Sequence, residues 1–171
     1  VSYRDYILRK KKGKIINPSQ LDSTWLRKPK ITEVKKFKLL YVGRLKIEKG
    51  IFSLLNLIKN KKDISLTVVG AEKDFTNNVS QSNVRILKTQ SNKLKLIKYY
   101  DDHNIFVLPS FTEGHPMVVL EALARRRPVI IFKDIEHIIG NKKGIFVSKR
   151  NFINFFCTLN NIKKNYKKIQ N

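Results

Sequence analysis

IFVLPSFTEGHPMVVLEALA, residues 105–124, decides how this chain is built. The run Ile105 to Leu108 is wholly apolar and short, which reads as a buried strand. Pro109 and Ser110 stop it, and a polar turn carrying Glu113 and Gly114 follows. Pro116 then suits the first turn of a helix, where its fixed φ is already helical and its missing N–H is not needed. One carboxylate, Glu113, thus stands at the strand's exit, and a second, Glu121, on the helix beyond. In an open parallel sheet, ligands bind outside the carboxyl ends of the strands. Two acids at such a crevice can accept hydrogen bonds from several hydroxyls, as a sugar or a ribose offers.

Outward from this segment, strands alternate with helices. Strands are expected at 39–42, 64–69, 84–87, 105–108, 129–132 and 145–147, and helices at 52–59, 92–100 and 116 to about 126, with a weaker one at 135–139. The strands are nearly continuous in Val, Ile and Leu, which predicts an α/β fold with a parallel sheet covered by helices on both faces. Phe152, Phe155, Phe156, Leu159, Ile162, Tyr166 and Ile169 recur at spacings of three and four, so residues 150–170 form an amphipathic C-terminal helix. Lys163, Lys164, Lys167 and Lys168 sit on its flanks and at its C-terminal end, where cations suit the helix dipole. Packing on the sheet is the simpler role for its stripe; docking onto another domain or a membrane surface is the alternative. Residues 1–37 are polar, with Pro18, Pro29 and the basic run Arg9 to Lys12, and read as a linker leading into a domain of residues 38–171.

With 171 residues, 42% apolar and 10% aromatic, the chain can bury a core and is too apolar for disorder. Its one cysteine, Cys157, excludes an internal disulfide and a cysteine-based metal site; among Phe155, Phe156 and Leu159 it is expected to be a buried, inert thiol. No apolar run reaches membrane-spanning length, and the first residues are too charged for a signal peptide. A cytoplasmic setting follows, with room for attachment to the inner membrane face. The net charge of +23 admits nucleic acid, anionic lipid and phosphorylated ligands. The lysines are spread along the whole chain, however, so general compositional bias accounts best for most of them. No basic strand interleaved with aromatics marks a specific RNA binder.

The first strand leads into Gly43-Arg44-Leu45-Lys46-Ile47-Glu48-Lys49-Gly50. A glycine at the exit lets backbone approach a ligand. Arg44 offers a planar fork to phosphate oxygens, Lys49 adds a compact charge, and the next helix N-terminus favours an anion. Alone, these are two cations in a chain full of them. The fold, however, brings this turn and the Glu113 loop to one edge of the sheet. A cationic pair beside a pair of acids is what a nucleotide-sugar requires. The glycine-rich dinucleotide fingerprint and the P-loop are absent. His103, His115 and His137 have no metal-binding spacing, and Ser110 lacks the glycines of a nucleophile elbow. Glu113 and Glu121 as a hydrolase pair would leave the cations idle.

Taken together, Gly43-Arg44-Leu45 with Lys49-Gly50, Pro109-Ser110 with Glu113-Gly114-His115-Pro116, Glu121 to Ala124, and Pro128-Val129-Ile130 resemble the C-terminal half of retaining glycosyltransferases of family four (glycosyl transferases group 1). The resemblance runs from about Lys38 to Val147. It implies one Rossmann-like half of a GT-B fold, binding a UDP- or GDP-sugar and needing no metal. By this resemblance Arg44 and Lys49 neutralise the donor diphosphate and Glu121 holds the ribose. Glu113 faces the donor sugar, so that Glu113, Arg44 and Lys49 form the catalytic group. Gly43, Gly114 and the backbone of His115, Pro116, Met117 and Val118 approach sugar or phosphate, and Lys88 and Thr89 border the base. The sugar is transferred with retention, the leaving phosphate helping to deprotonate the acceptor.

Some positions depart from the family pattern. Arg125-Arg126-Arg127 stands where glycine is usual, so Arg126 is expected to take a left-handed conformation at a cost, or the turn to differ. Lys88 replaces a glycine beside the base site. Residues 134–139 lack the usual Gly-Gly and Pro-Glu pattern, with His137 where glutamate is common. The acceptor-binding N-terminal domain has no counterpart before Val1, and residues 1–37, especially Ile15 to Ser19, read as the tail of an interdomain connection. By itself the chain is then expected to bind donor weakly and to transfer little, with the missing half in the same gene or a separate chain. Cell-surface polysaccharide or lipopolysaccharide assembly is the expected pathway. The rival roles are a degenerate donor-binding or partner-docking module and a basic nucleic-acid binder.

Overall fold

The computed structural model describes residues 21–71, 81–139 and 142–170. The basic run at 9–12 and the stretch at 15–19 lie outside these. Six strands form one parallel sheet: β1 Phe37–Val42, β2 Ile64–Ala71, β3 Val84–Lys88, β4 Ile105–Leu108, β5 Val129–Phe132 and β6 Ile145–Ser148. Their order is β3-β2-β1-β4-β5-β6. The helices are α1 Ser23–Leu26, α2 Ile51–Ile58, α3 Lys93–Asp102, α4 Met117–Ala124, α5 Glu136–Ile139 and α6 Phe152–Gln170. β4 and β5 carry no exposed residue, as strands covered on both faces must.

Alternate strand residues feed two apolar layers. Leu39, Tyr41, Val68, Val107 and Phe132 pack beneath α2 and α6, while Leu40, Val69, Phe106, Leu108 and Ile131 pack beneath α3, α4 and α5. This is the three-layer Rossmann-like arrangement. The α6 stripe is core over most of its length, with Phe155, Leu159, Ile162 and Tyr166 buried. Phe152 is 44% exposed. Cys157 is also exposed, contrary to the buried thiol expected. Its neighbours Phe155 and Leu159 turn inward, and Cys157 falls on the helix's outer side.

Residues 21–36 are packed onto the sheet. Trp25 of α1 is buried against Tyr100, ring edge to face with centroids 5.7 Å apart. Arg125 donates to the carbonyls of Trp25 and Arg27 at 2.8 and 2.9 Å, and to Asp101 through Nε and Nη2 at 3.0 and 2.7 Å. Arg127 donates to the Thr32 hydroxyl at 2.6 Å and to the Lys30 carbonyl. Between them Arg126 has φ 55°, the left-handed alternative of the two that the sequence leaves open. The turn is a Schellman motif: Arg127 N–H bonds to the Ala122 carbonyl and Arg126 N–H to the Leu123 carbonyl, both at 2.9 Å.

Two local expectations need correction. Pro116 caps α4 from one position ahead of its first residue, since the preceding turn is still extended there. The segment 135–139 begins as a tight 3-10 turn at Lys133–Ile135 before α5.

Candidate functional site

In a parallel sheet of this order the strand sequence reverses between β1 and β4, and the crevice at that point is where ligands bind. The β1–β4 ladder joins only Leu39 to Ile105 and Leu40 to Phe106, whereas β1 and β2 pair along six residues. The two halves of the sheet therefore part towards their carboxyl ends. A cleft of about 250 Å³ opens there, lined by Tyr41, Val42, Gly43, Arg44, Lys49, Leu108, Glu113, Pro116, Met117 and Val118. Larger hollows of about 740 and 800 Å³ lie at the amino ends of the strands, beside Lys59–Lys62 and Lys35–Lys38, away from these groups.

The β1 loop is built around two glycines. Tyr41 turns its ring up the strand, and its hydroxyl donates to the Arg44 carbonyl at 2.8 Å. A Cβ on Gly43 would meet that hydroxyl oxygen at 2.9 Å, so a side chain there would crowd the contact that shapes the loop. Burial, then the charges of Glu113 and Glu48, push the Tyr41 phenol well above its ordinary range, which keeps it a proton donor. Gly50 has φ 65°, and a Cβ on it would stand 1.9 Å from the Pro109 carbonyl oxygen. The loops after β1 and β4 touch at that point. Phe111 N–H donating to the Glu48 carbonyl at 2.9 Å joins them again.

Lys49 is brought against the β4 loop, where its Nζ donates to Glu113 Oε1 at 2.8 Å. The fully buried Ser110 donates to the same oxygen at 2.6 Å. The Glu113 side chain is only 9% exposed and that of Lys49 21%. Ser110 thus orients a carboxylate. Arg44 is exposed at the rim, with no ion pair to its guanidinium among the described residues.

Glu121 lies one helical turn beyond Met117 and does not line this cleft. Its Oε2 accepts from the buried Tyr100 hydroxyl at 2.8 Å. Burial raises the Glu121 carboxyl above the usual carboxylate range, which the Tyr100 hydrogen bond opposes. Gly114 and His115 are exposed in the loop before α4. Lys88 and Thr89 are exposed at the end of β3, on the same edge of the sheet but two strands from β1. His103 belongs elsewhere: burial lowers its pKa, and its ring nitrogens meet the Tyr99 carbonyl at 2.6 Å and the Thr67 hydroxyl at 2.7 Å. Among the described residues no group of three or more His, Cys, Asp or Glu is placed to hold a metal ion.

Sequence reading missed Arg150. From the loop after β6, Arg150 donates to the Pro109 carbonyl at 2.7 Å, the Ser110 carbonyl at 3.2 Å and Asp134 at 2.8 Å. Its guanidinium lies over the rings of Phe111 and Phe132, 3.9 and 4.5 Å from their centroids. The signal available was its place two residues past a strand's carboxyl end.

The family model of glycosyl transferases group 1 matches residues 23–170. The chain belongs to that family. It is 30% identical over 150 residues to an uncharacterized glycosyltransferase of Haemophilus influenzae, covering 81% of this chain and 41% of that one. To the capsular polysaccharide biosynthesis glycosyltransferase CapM of Staphylococcus aureus it is 30% identical over 130 residues, covering 68% and 34%. The chain therefore spans less than half the length of these relatives. Its fold matches sucrose-phosphate synthase from Thermosynechococcus elongatus with a TM-score of 0.73 at 17% identity, over 98% of this chain and 48% of that one.

Proposed function

We propose that this group 1 chain is the donor-binding domain of a retaining glycosyltransferase, taking a UDP- or GDP-sugar without a metal. The observation that carries the reading is the meeting of Arg44, Lys49 and Glu113 in one cleft at the β1/β4 switch. A largely buried Lys–Glu pair loses hydration that its mutual attraction barely repays, so stability is a poor reason to keep it. A diphosphate accounts for it better. Arg44 would clamp the phosphates, and Lys49 would stabilise the charge that grows on the leaving oxygen. Glu113, fixed by Ser110, would accept from the donor sugar's hydroxyls. Glu121, beyond the cleft, would accept from the ribose, with Tyr100 holding its other side. Lys88 and Thr89 would flank the base.

The cleft is smaller than the ~300–1,000 Å³ usual for a whole ligand. It suits the diphosphate and sugar; a second domain, in the same or another chain, would close over the donor and bring the acceptor. The relatives' greater length fits this arrangement. The pathway proposed is cell-surface polysaccharide or lipopolysaccharide synthesis, on the cytoplasmic face of the membrane, by analogy with the capsular relative.

Calorimetric titration with UDP and GDP tests the site. One of them should bind in the micromolar to millimolar range, and Arg44→Ala should weaken it at least about tenfold through loss of a charge-assisted contact. Binding of neither nucleotide to the folded chain would leave a degenerate scaffold. Affinity for single-stranded DNA that falls steeply with salt and ignores Arg44→Ala would favour the nucleic-acid role instead.

A further inference from the structure

Arg150 bonds the turn that leads into the Glu113 loop without lining the cleft, and its contacts have a direction. Its Nη1 and Nη2 take the carbonyls of Pro109 and Ser110, the two residues that follow β4. Ser110 is the residue whose hydroxyl fixes Glu113 Oε1. Asp134, beyond β5, holds the guanidinium from a third side, and Phe111 and Phe132 cover its face. The Nε of Arg150 is buried without a hydrogen-bond partner among the described residues. A buried unpartnered N–H costs stability, so the group is placed for its fork rather than for best solvation. A Cβ at residue 50 would come within 3.0 Å of Arg150 Nη1. The β1 loop, the β4 turn and the β6 loop are thus stacked in contact.

We infer that Arg150 is a positioning residue for the donor sugar: it sets the Pro109–Ser110 turn so that Ser110 and Lys49 hold Glu113 at the cleft. This rests on the donor-binding reading above and assigns Arg150 the sugar half of the site, not the diphosphate half. Arg44 hangs on the β1 loop and does not touch Arg150. Loss of Arg150 should therefore leave nucleoside diphosphate binding intact and remove the extra affinity contributed by the sugar. Asp134 is part of the same device. The segment that departs from the family pattern, 134–139, in this chain supplies the anion that orients Arg150.

Arg150→Lys is the discriminating change, because one ammonium cannot reproduce a planar fork engaging two carbonyls and a carboxylate together. Affinities of the chain and variant are compared for UDP against UDP-glucose and GDP against GDP-mannose. Asp134→Asn serves as a milder second variant. The expected result is an unchanged diphosphate affinity and loss of the sugar's increment by about tenfold, the scale of one or two hydrogen bonds. The Phe111 amide, bonded to the Glu48 carbonyl, should exchange its hydrogen faster in both variants. An unchanged sugar increment overturns the inference, as does an equal loss of both affinities with a lower melting temperature, which would make Arg150 structural only. A failure of the donor-binding reading looks different: the unsubstituted chain then binds neither member of either pair.

Discussion

Gly50 and Glu121 show at the scale of single residues how function and stability pull apart. Gly50 combines φ 65° with a Cβ position 1.9 Å from a backbone oxygen that cannot rotate away. Gly50→Ala must therefore separate the loops after β1 and β4 as well as strain its own backbone. The expected cost exceeds the ~1 kcal/mol of a left-handed alanine alone, read as a lowered denaturation midpoint in urea. Glu121 is a second case. Burial raises its pKa, so its folded form favours the proton. The stability this gives is complete below the ordinary carboxylate range and is lost as pH rises through the raised value. Glu121→Gln keeps an acceptor for the Tyr100 hydroxyl and removes the charge. The variant should melt higher than the parent at neutral pH, with the gap closing on acidification, while its nucleotide affinity falls. A gap that stays constant with pH would mean that carboxylate burial is not its cause. Sequence told much here: Arg44, Lys49 and Glu113 were legible because strand exits in a parallel sheet share one edge. That Glu121 would lean on Tyr100 was not, since helix phase fixes a residue's side and not its partner across a layer.

The helix that carries Glu121 ends in a device a sequence can half reveal. Three arginines look like one more basic run in a chain of +23 charge. Only the absence of glycine after Ala124 hinted that one of them must turn left-handed. The Schellman bonds at 2.9 Å place that duty on Arg126, φ 55°, while its guanidinium reaches the Gln170 carbonyl at 3.1 Å from an exposed position. Arg126→Gly removes the steric cost and loses one part-buried hydrogen bond to the Gln170 carbonyl. The change should stabilise the domain by roughly 0.5–1 kcal/mol, seen as a melting temperature about 2–4 °C higher. A lower melting temperature would show that the Gln170 contact outweighs backbone strain. The strands posed no such difficulty. β4 and β5 were bounded to the residue because Pro109 and Pro128 punctuate runs of wholly apolar side chains. α6 is clear in phase, yet its outer side is not: Phe155, Phe156 and Leu159 make the whole turn look buried, although Cys157 is exposed.

Across the molecule, the arginines on either side of Arg126 join parts far apart in sequence. Arg125 and Arg127 are 3% and 1% exposed, and both face Asp101, which is 17% exposed. Through them the segment from Trp25 to Thr32 is held to α3, and Thr32 in turn meets the Tyr166 hydroxyl of α6 at 2.8 Å. Chain preceding the sheet and chain following it are therefore gathered at the amino ends of the strands, opposite the candidate site. Composition concealed this: buried arginines are rare, and residues 21–36 have too little periodicity to announce that they pack. The charges do not balance evenly, since two guanidiniums share one carboxylate; other donors go to the carbonyls of Trp25, Arg27, Lys28 and Lys30 and to the Thr32 hydroxyl, and the buried Arg127 Nε has no partner among the described residues. Asp101→Ala would leave two buried cations without an anion. Breaking one side of a buried ion pair typically costs ~3–5 kcal/mol, a large share of the ~5–15 kcal/mol that holds a domain together. The melting temperature should fall by on the order of ten degrees. Although Tyr100, between Trp25 and Glu121, touches both regions, the cleft between β1 and β4 lies at the other edge, so nucleotide affinity measured below the melting range should change far less than stability does. A fall in affinity without a fall in stability would mean that the arginine cluster reaches the donor cleft through the sheet.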